Sequence, residues 1–190
     1  ANCIKELVDM GAFIDGATGL SNDEASASFY AEQVPMYFTG SWMGGSIVTD
    51  AEKPDNFAVA PIPVVNSKNA SVTDFMGGGS DTLMVSANTK NKDLAAAAAF
   101  EITRGVSKHA YLSGAGIPAW TVDYDASSVP ALTQQVADIA GKATSYTLWF
   151  DTLMSSDDAG EYLTLLQSLF AGDLKPEEFA ASMDKQLSKK

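Results

Sequence analysis

The sequence predicts a helix-rich α/β protein with a small sheet. Its 190 residues are 46% hydrophobic, which allows one large domain or parts of two. Several segments repeat apolar residues at helical spacing, while three short apolar runs beside glycine or proline favour strands. The sequence has no run of about 18 apolar residues, and therefore no candidate membrane-spanning helix.

Six segments have the pattern of helices, and particular residues mark where several of them begin and end. Ser21 precedes Glu24 by three positions, which predicts a capping box at the start of the second helix. Pro176 predicts the start of the last helix, while Gly141 and Gly172 predict two helix ends. The predicted helices are CIKELVDM, SNDEASASFYAEQ, NKDLAAAAAFEITRGVSKHAYLSG, ALTQQVADIA, about 158–171, and the segment from 176.

Three apolar runs are predicted to be strands, namely VPMYF, FAVAPIPVV and TLMVS. Pro35 restricts the first run to a sheet edge or a strand start. Residues 65–74 (VNSKNASVTD) are small and polar without an apolar period, which predicts a loop or a crossing between subdomains. Residues 145–151 (SYTLWFD) are predicted to be non-helical and rich in aromatic side chains.

The composition argues against several function classes. A formal net charge of −12 disfavours nucleic-acid binding, because the surface repels phosphate backbones. The single cysteine, Cys3, cannot form an internal disulfide and is expected to be a buried small hydrophobe. The single histidine, His109, is expected to be a surface or packing residue, and neither residue has neighbours that would form a metal site. MGGGSD lacks the lysine of a phosphate-binding loop, and no cofactor is predicted.

The side chains that stand out as possible ligand contacts are aromatic residues in flexible loops. Trp42 lies in TGSWMGG, Trp120 in GIPAWTVDYD and Trp149 in SYTLWFD, all outside the predicted helical stripes. A flat apolar ring suits the C–H face of a sugar, while nearby polar groups can bind hydroxyls. Each ring could equally fill a gap between lobes or beneath a loop. From spacing alone, both interpretations stay open.

The order of the segments resembles a known family. A helix with Phe29 is followed by VPMYFTGSW, DNFAVAPIP, FMGGGSDTLMVSANTKNKDLAAAAAFEI, GAGIPA and a terminal stretch with GDLKPEEFAASMDKQL. This series is similar to the C-terminal half of an extracellular solute-binding protein of a sugar ABC transporter, the family that includes maltose-binding protein. The similarity extends from Ile4 to Leu187 and rests on order and spacing rather than on any one motif.

The resemblance implies a periplasmic-binding-protein-like (type II) α/β fold, mainly its C-terminal lobe, helix-rich with a small mixed sheet. It places the second lobe at 1–64 and 118–190. Residues 65–69 would be a hinge crossing, which agrees with the polar connector, and residues 70–117 would enter the first lobe.

The resemblance also implies a ligand site without catalytic residues. Trp42 matches an aromatic residue that stacks on the sugar. Gly77 and Gly78 match a loop whose bare backbone approaches the ligand. Trp149 lies where the family has another binding aromatic residue, with Tyr146 as a weaker candidate.

Two points weaken the expected site. Trp120 follows the IPA turn, where contacts vary among family members. The N-terminal half of the family is missing from this chain, so the site is expected to be incomplete. Residues 70–117 are then expected to expose apolar surface and to promote self-association.

The implied function is capture of a sugar or oligosaccharide by closure of two lobes, followed by recognition of the closed form by ABC permease membrane subunits. The expected location is extracytoplasmic, in the periplasm or as a cell-surface lipoprotein. One alternative is a glycoside hydrolase that uses the loop carboxylates Asp123, Asp125 or Asp151. Another is a protein-interaction module.

Overall fold

A computed structural model describes residues 1–78 and 81–188, which divide into two compact units. The first unit contains Ala1–Pro35 and the segment from Leu148 onward, and the second contains Met36–Thr147. The described residues are rich in helix and carry one small sheet, as predicted. The elements are α1 (Asn2–Asp9), α2 (Asn22–Tyr30), α3 (Met43–Asp50), β1 (Asp74–Met76), α4 (Lys92–Ser113), α5 (Ala131–Ala140), β2 (Ser145–Thr147), α6 (Ser156–Ala171) and α7 (Pro176–Leu187).

The first unit is built around α6, which packs against α1 and α7. Leu169 of α6 is completely buried, and Met183 of α7 is buried as well. Phe13 meets Phe170 edge to face, with ring centroids 5.3 Å apart. Such aromatic pairs add to the stabilisation that comes from burying apolar area.

The helix boundaries follow the predicted capping residues. Ser21 Oγ accepts a hydrogen bond from the Glu24 backbone N–H at 3.3 Å, and the Glu24 carboxylate accepts one from the Ser21 N–H at 2.8 Å. This reciprocal capping box satisfies two of the N–H groups that the first turn leaves unpaired. Gly172 ends α6 with a φ of 83°, which glycine adopts without strain, and Pro176 begins α7. These predictions are confirmed.

The second unit has its core where α3 packs on α5. Buried apolar side chains come from α3 and from the start of α5, and they include Met43, Ile47 and Leu132. The Gly45 N–H donates to the Gly114 carbonyl oxygen at 2.9 Å, which ties the first turn of α3 to the residue that follows α4.

Helix α3 was not predicted. Gly44 and Gly45 are poor helix formers, so the local sequence argues against a helix here. A Cβ atom at Gly44 would lie 2.3 Å from the Thr133 Oγ1, and one at Gly45 would lie 2.3 Å from the Ser113 carbonyl oxygen. The two glycines therefore allow a close backbone approach, and tertiary packing outweighs the local preference.

The sheet consists of β1 and β2, which run parallel and pair Asp74 with Ser145, Phe75 with Tyr146, and Met76 with Thr147. The prediction of a small sheet is confirmed, although its two strands are parallel rather than mixed. VPMYF, FAVAPIPVV and TLMVS do not form strands in the described part of the chain, so these three predictions were wrong. An apolar run becomes a strand only where a neighbouring strand satisfies its backbone groups.

Cys3 corrects a further expectation, because it is exposed rather than buried. Ile4 and Val8, four residues apart on α1, are the half-buried apolar residues of this helix, whereas Cys3 lies on the same face as Leu7, which is also exposed. In the described ranges, no helix is both long and apolar enough to cross a membrane.

Candidate functional site

Trp42 lies directly before α3 and presents a large exposed ring. About half of the residue is accessible to solvent (52%), which is unusual for tryptophan. Its ring lies against the backbone of Gly40, since a Cβ atom there would lie 2.2 Å from Cζ3 of the ring. Gly40 thus makes room for the ring, while Gly44 and Gly45 serve the packing of α3. The glycines of TGSWMGG have two separate roles.

Gly77, Gly78 and Tyr146 are brought together by the pairing of β1 with β2. The Gly77 N–H donates to the Thr147 carbonyl oxygen at 2.9 Å, which extends the pairing one residue beyond β1. Gly77 and Gly78 have φ values of 134° and 79°, in the region that favours glycine. A Cβ atom at Gly78 would lie 3.1 Å from the Tyr146 Cβ, so the bare backbone lies close to this side chain. Gly79 and Ser80, the rest of the predicted glycine loop, lie outside the described residues.

Tyr146 offers a second exposed ring with a defined position. It is 51% exposed, and its hydroxyl donates to the Ala140 carbonyl oxygen at 3.3 Å. Phe75, its partner in the strand register, has its ring centroid 6.1 Å from that of Tyr146. Phe75 was not singled out from the sequence, because a contact between segments 71 residues apart leaves no local signal.

Asp74, the residue before Phe75 in β1, is a polar centre that was also missed. Its carboxylate accepts hydrogen bonds from the Ser71 N–H at 2.6 Å and from the Ser145 hydroxyl at 2.8 Å. The Thr144 hydroxyl lies 3.3 Å from the same carboxylate. Two of these hydrogen bonds lower the pKa of Asp74 below its ordinary value of 3.8, and the bond from the Ser71 N–H has a larger effect than the bond from the Ser145 hydroxyl. Asp74 is therefore ionised at neutral pH.

Trp120 belongs to the second unit and packs on α4. Its ring meets that of Phe100 edge to face, with centroids 5.0 Å apart. The preceding Ala119 N–H donates to the Ser107 hydroxyl of α4 at 3.0 Å. These contacts fit a packing role for Trp120, and its place in a ligand site stays a prediction.

Trp149 belongs to the first unit, where it precedes a short 3₁₀ turn at Phe150–Leu153. Its carbonyl oxygen accepts a hydrogen bond from the Thr152 hydroxyl at 2.6 Å, and the residue is 38% exposed. The neighbouring Phe150 packs edge to face on Tyr162 of α6, with centroids 5.4 Å apart. The anchored neighbour fixes the local backbone, while Trp149 keeps an exposed surface.

Asp123 and Asp125, two of the loop carboxylates of the hydrolase alternative, each have a local partner. Asp123 forms an ion pair with Arg104. Asp125 accepts a hydrogen bond from the Ser127 N–H at 2.9 Å, and this bond lowers its pKa. His109 is exposed on α4. Residues 1–78 and 81–188 contain no group of three or more side chains arranged to hold a metal ion.

Comparison with known proteins agrees with the fold and the family resemblance. Residues 4–100 match the family described as bacterial extracellular solute-binding protein. A solved chain described for xylan utilization by the thermophilic bacterium Caldanaerobius polysaccharolyticus is 31% identical, with a TM-score of 0.84 over 96% of this chain and 47% of that one. A chitin oligosaccharide binding protein has the same fold, with 22% identity and a TM-score of 0.80 over 98% of this chain and 47% of that one. No curated protein sequence matched.

The match covers about half of the length of the two solved chains, and it extends over almost all of this one. The type II fold that the resemblance implied is confirmed by these structures. The family match spans the helices and loops that carry Trp42, Gly77 and Gly78. The chain therefore belongs to the bacterial extracellular solute-binding protein family.

Proposed function

We propose that the chain is part of the substrate-binding component of an ABC transporter that captures a sugar or oligosaccharide and delivers it to a membrane permease. Family membership supports solute binding outside the cytoplasm. One solved relative was described for xylan utilization and another binds chitin oligosaccharides, which favours an oligosaccharide as the solute. The protein would act in the periplasm or as a lipoprotein at the cell surface.

The observation that carries this proposal is the exposed ring of Trp42, held against the backbone of Gly40. An apolar ring that is both exposed and fixed in place can stack on the C–H face of a pyranose at little cost in side-chain entropy. Tyr146, which is half exposed beside Gly78, adds a second ring and a hydroxyl in the same compact unit. Trp149 is the candidate that the first unit contributes.

Transport would follow from closure of two lobes. Residues 1–64 and 118–190 would belong to the second lobe, 65–69 to a hinge crossing and 70–117 to the first lobe. A ligand that contacts both lobes stabilises the closed state by its higher affinity for that state. The permease would then distinguish the closed, loaded form from the open one.

The carboxylates of the second unit do not favour the glycoside hydrolase alternative. A glycosidase needs a general acid whose pKa is raised, so that it still carries a proton near neutral pH. The pKa of Asp125 is lowered by its hydrogen bond from Ser127, which is the opposite shift. Asp123 is engaged by Arg104. Asp123 and Asp125 are therefore poor candidates for the general acid of a glycosidase.

Calorimetric titration of the full-length protein with xylo- and chito-oligosaccharides tests the proposal. We expect binding without release of shorter sugars, and Trp42→Ala should weaken it about fivefold, because a stacking ring is worth roughly 1 kcal/mol. Phe13→Ala is the matched control, since Phe13 packs on Phe170 in the first unit and is not a candidate ligand contact. Unchanged affinity in Trp42→Ala would remove this ring from the site, and sugar turnover would support the enzyme instead.

A further inference from the structure

Asp74 links two segments of the second unit through one carboxylate, the turn that leads into β1 and the start of β2. One oxygen accepts from the Ser71 N–H at 2.6 Å, which closes a local turn before β1. The other accepts from the Ser145 hydroxyl at 2.8 Å, and Ser145 is the residue that faces Asp74 in the strand register. The first bond alone would be an ordinary turn. The second joins strands that are 71 residues apart.

The neighbouring threonines reinforce this link. The Thr144 N–H donates to the Thr73 carbonyl oxygen at 2.9 Å, and the two threonine hydroxyls are hydrogen bonded at 2.8 Å. The Thr144 hydroxyl also reaches the Asp74 carboxylate at 3.3 Å. The N-terminal end of the β1–β2 pair is therefore held by side chains, which matters because each strand has only three residues.

The candidate ligand residues lie at the other end of the same pair. The Gly77 N–H bonds the Thr147 carbonyl oxygen at 2.9 Å, and Gly78 approaches the Tyr146 Cβ. A slip of one residue between β1 and β2 would turn Tyr146 to the opposite face of the sheet. The register between β1 and β2 thus determines whether Gly78 and Tyr146 are neighbours.

We propose that Asp74 is a positioning residue for the ligand site, which holds β1 and β2 in register so that Gly78 and Tyr146 present one surface to the solute. The inference rests on the proposed function insofar as this surface binds sugar. Asp74 itself need not touch the ligand. Its effect on affinity should therefore pass through Tyr146.

Amide hydrogen exchange tests the structural part without any ligand. In Asp74→Ala, the Gly77 amide should exchange roughly three- to tenfold faster, a modest factor because the hydrogen bonds of Asp74 are exposed to water. The NMR signals of the Tyr146 ring should shift as well. Glu24→Ala is the matched control, because Glu24 is a hydrogen-bonded carboxylate of the first unit. Unchanged exchange at Gly77 in Asp74→Ala would overturn the proposal.

A double-mutant cycle in the full-length protein tests the link to binding. Asp74→Ala should weaken oligosaccharide affinity three- to tenfold in the wild-type background and less than twofold in the Tyr146→Ala background. Equal losses in both backgrounds would overturn the positioning role, since a general loss of stability would act independently of Tyr146. If the wild-type protein binds no oligosaccharide, the proposed function fails, and hydrogen exchange together with the Tyr146 ring signals still decides whether Asp74 positions these residues.

Discussion

Replacing Gly45 by alanine sets two physical effects against each other. Alanine is the better helix former, and Gly45 lies inside α3, so local propensity alone predicts a gain of about 1 kcal/mol. The added Cβ, however, would lie 2.3 Å from the Ser113 carbonyl oxygen and 3.2 Å from the Gly114 carbonyl carbon. Both are backbone atoms, which cannot rotate away as a side-chain tip can.

The structure indicates which effect is larger. Ordinary contact begins at 3.4 Å, so α3 would have to move by about an ångström from the end of α4. That movement would break the hydrogen bond from the Gly45 N–H to the Gly114 carbonyl oxygen, now 2.9 Å long. Strain of about 1–3 kcal/mol and a lost hydrogen bond of about 0.5–1.5 kcal/mol outweigh the helical gain. We expect Gly45→Ala to lower the free energy of unfolding by roughly 0.5–3.5 kcal/mol.

Gly105→Ala is the matched control. Gly105 lies inside α4, where an added Cβ meets nothing within 4 Å. The same substitution should therefore stabilise the protein by about 0.5–1 kcal/mol. Urea unfolding followed by far-ultraviolet circular dichroism measures both variants. If Gly45→Ala were as stable as Gly105→Ala, the close approach of α3 to the end of α4 would be wrong.

Two further predictions concern acid and association. The hydrogen bonds from Ser21 lower the pKa of Glu24 below its ordinary 4.5, so the stability that the Glu24 carboxylate contributes is present above pH 4.5 and is lost as the pH falls through its pKa in the folded protein. In urea unfolding, the advantage of the wild type over Glu24→Gln should therefore shrink below pH 4.5. A difference that stayed constant with pH would refute the lowered pKa of Glu24. The 190-residue chain alone should self-associate through the exposed pair Ile102 and Val106 of α4, and light scattering should show the mass rising with concentration above 20.0 kDa. Ile102→Glu with Val106→Glu should restore the monomer, whereas a wild-type monomer at high concentration would contradict the prediction.

What the sequence predicted best was the set of features that depend on neighbours along the chain. The capping box at Ser21, the αL glycine at Gly172 and the proline that starts α7 are set by groups within four residues of one another, so their signals survive in the sequence. The strands depend on partners about 70 residues away. DFM and SYT are too short to show an alternating pattern, and only their pairing makes them strands. The role of Asp74 was missed for the same reason.

The glycines of TGSWMGG show how this limit affects the site. From the sequence, flexible neighbours could leave the tryptophan ring mobile, which would raise the entropic cost of stacking on a sugar. In the structure, Gly40 lets the ring lie on the backbone, and Gly45 fixes the first turn of α3 to Gly114. Because Trp42 immediately precedes that turn, we expect the packing of α3 to limit the motion of its ring. Gly45→Ala should therefore weaken sugar binding as well as stability, although Gly45 lies outside the proposed ligand contacts. A destabilised Gly45→Ala variant that bound oligosaccharide with wild-type affinity would show that α3 does not hold the ring in place.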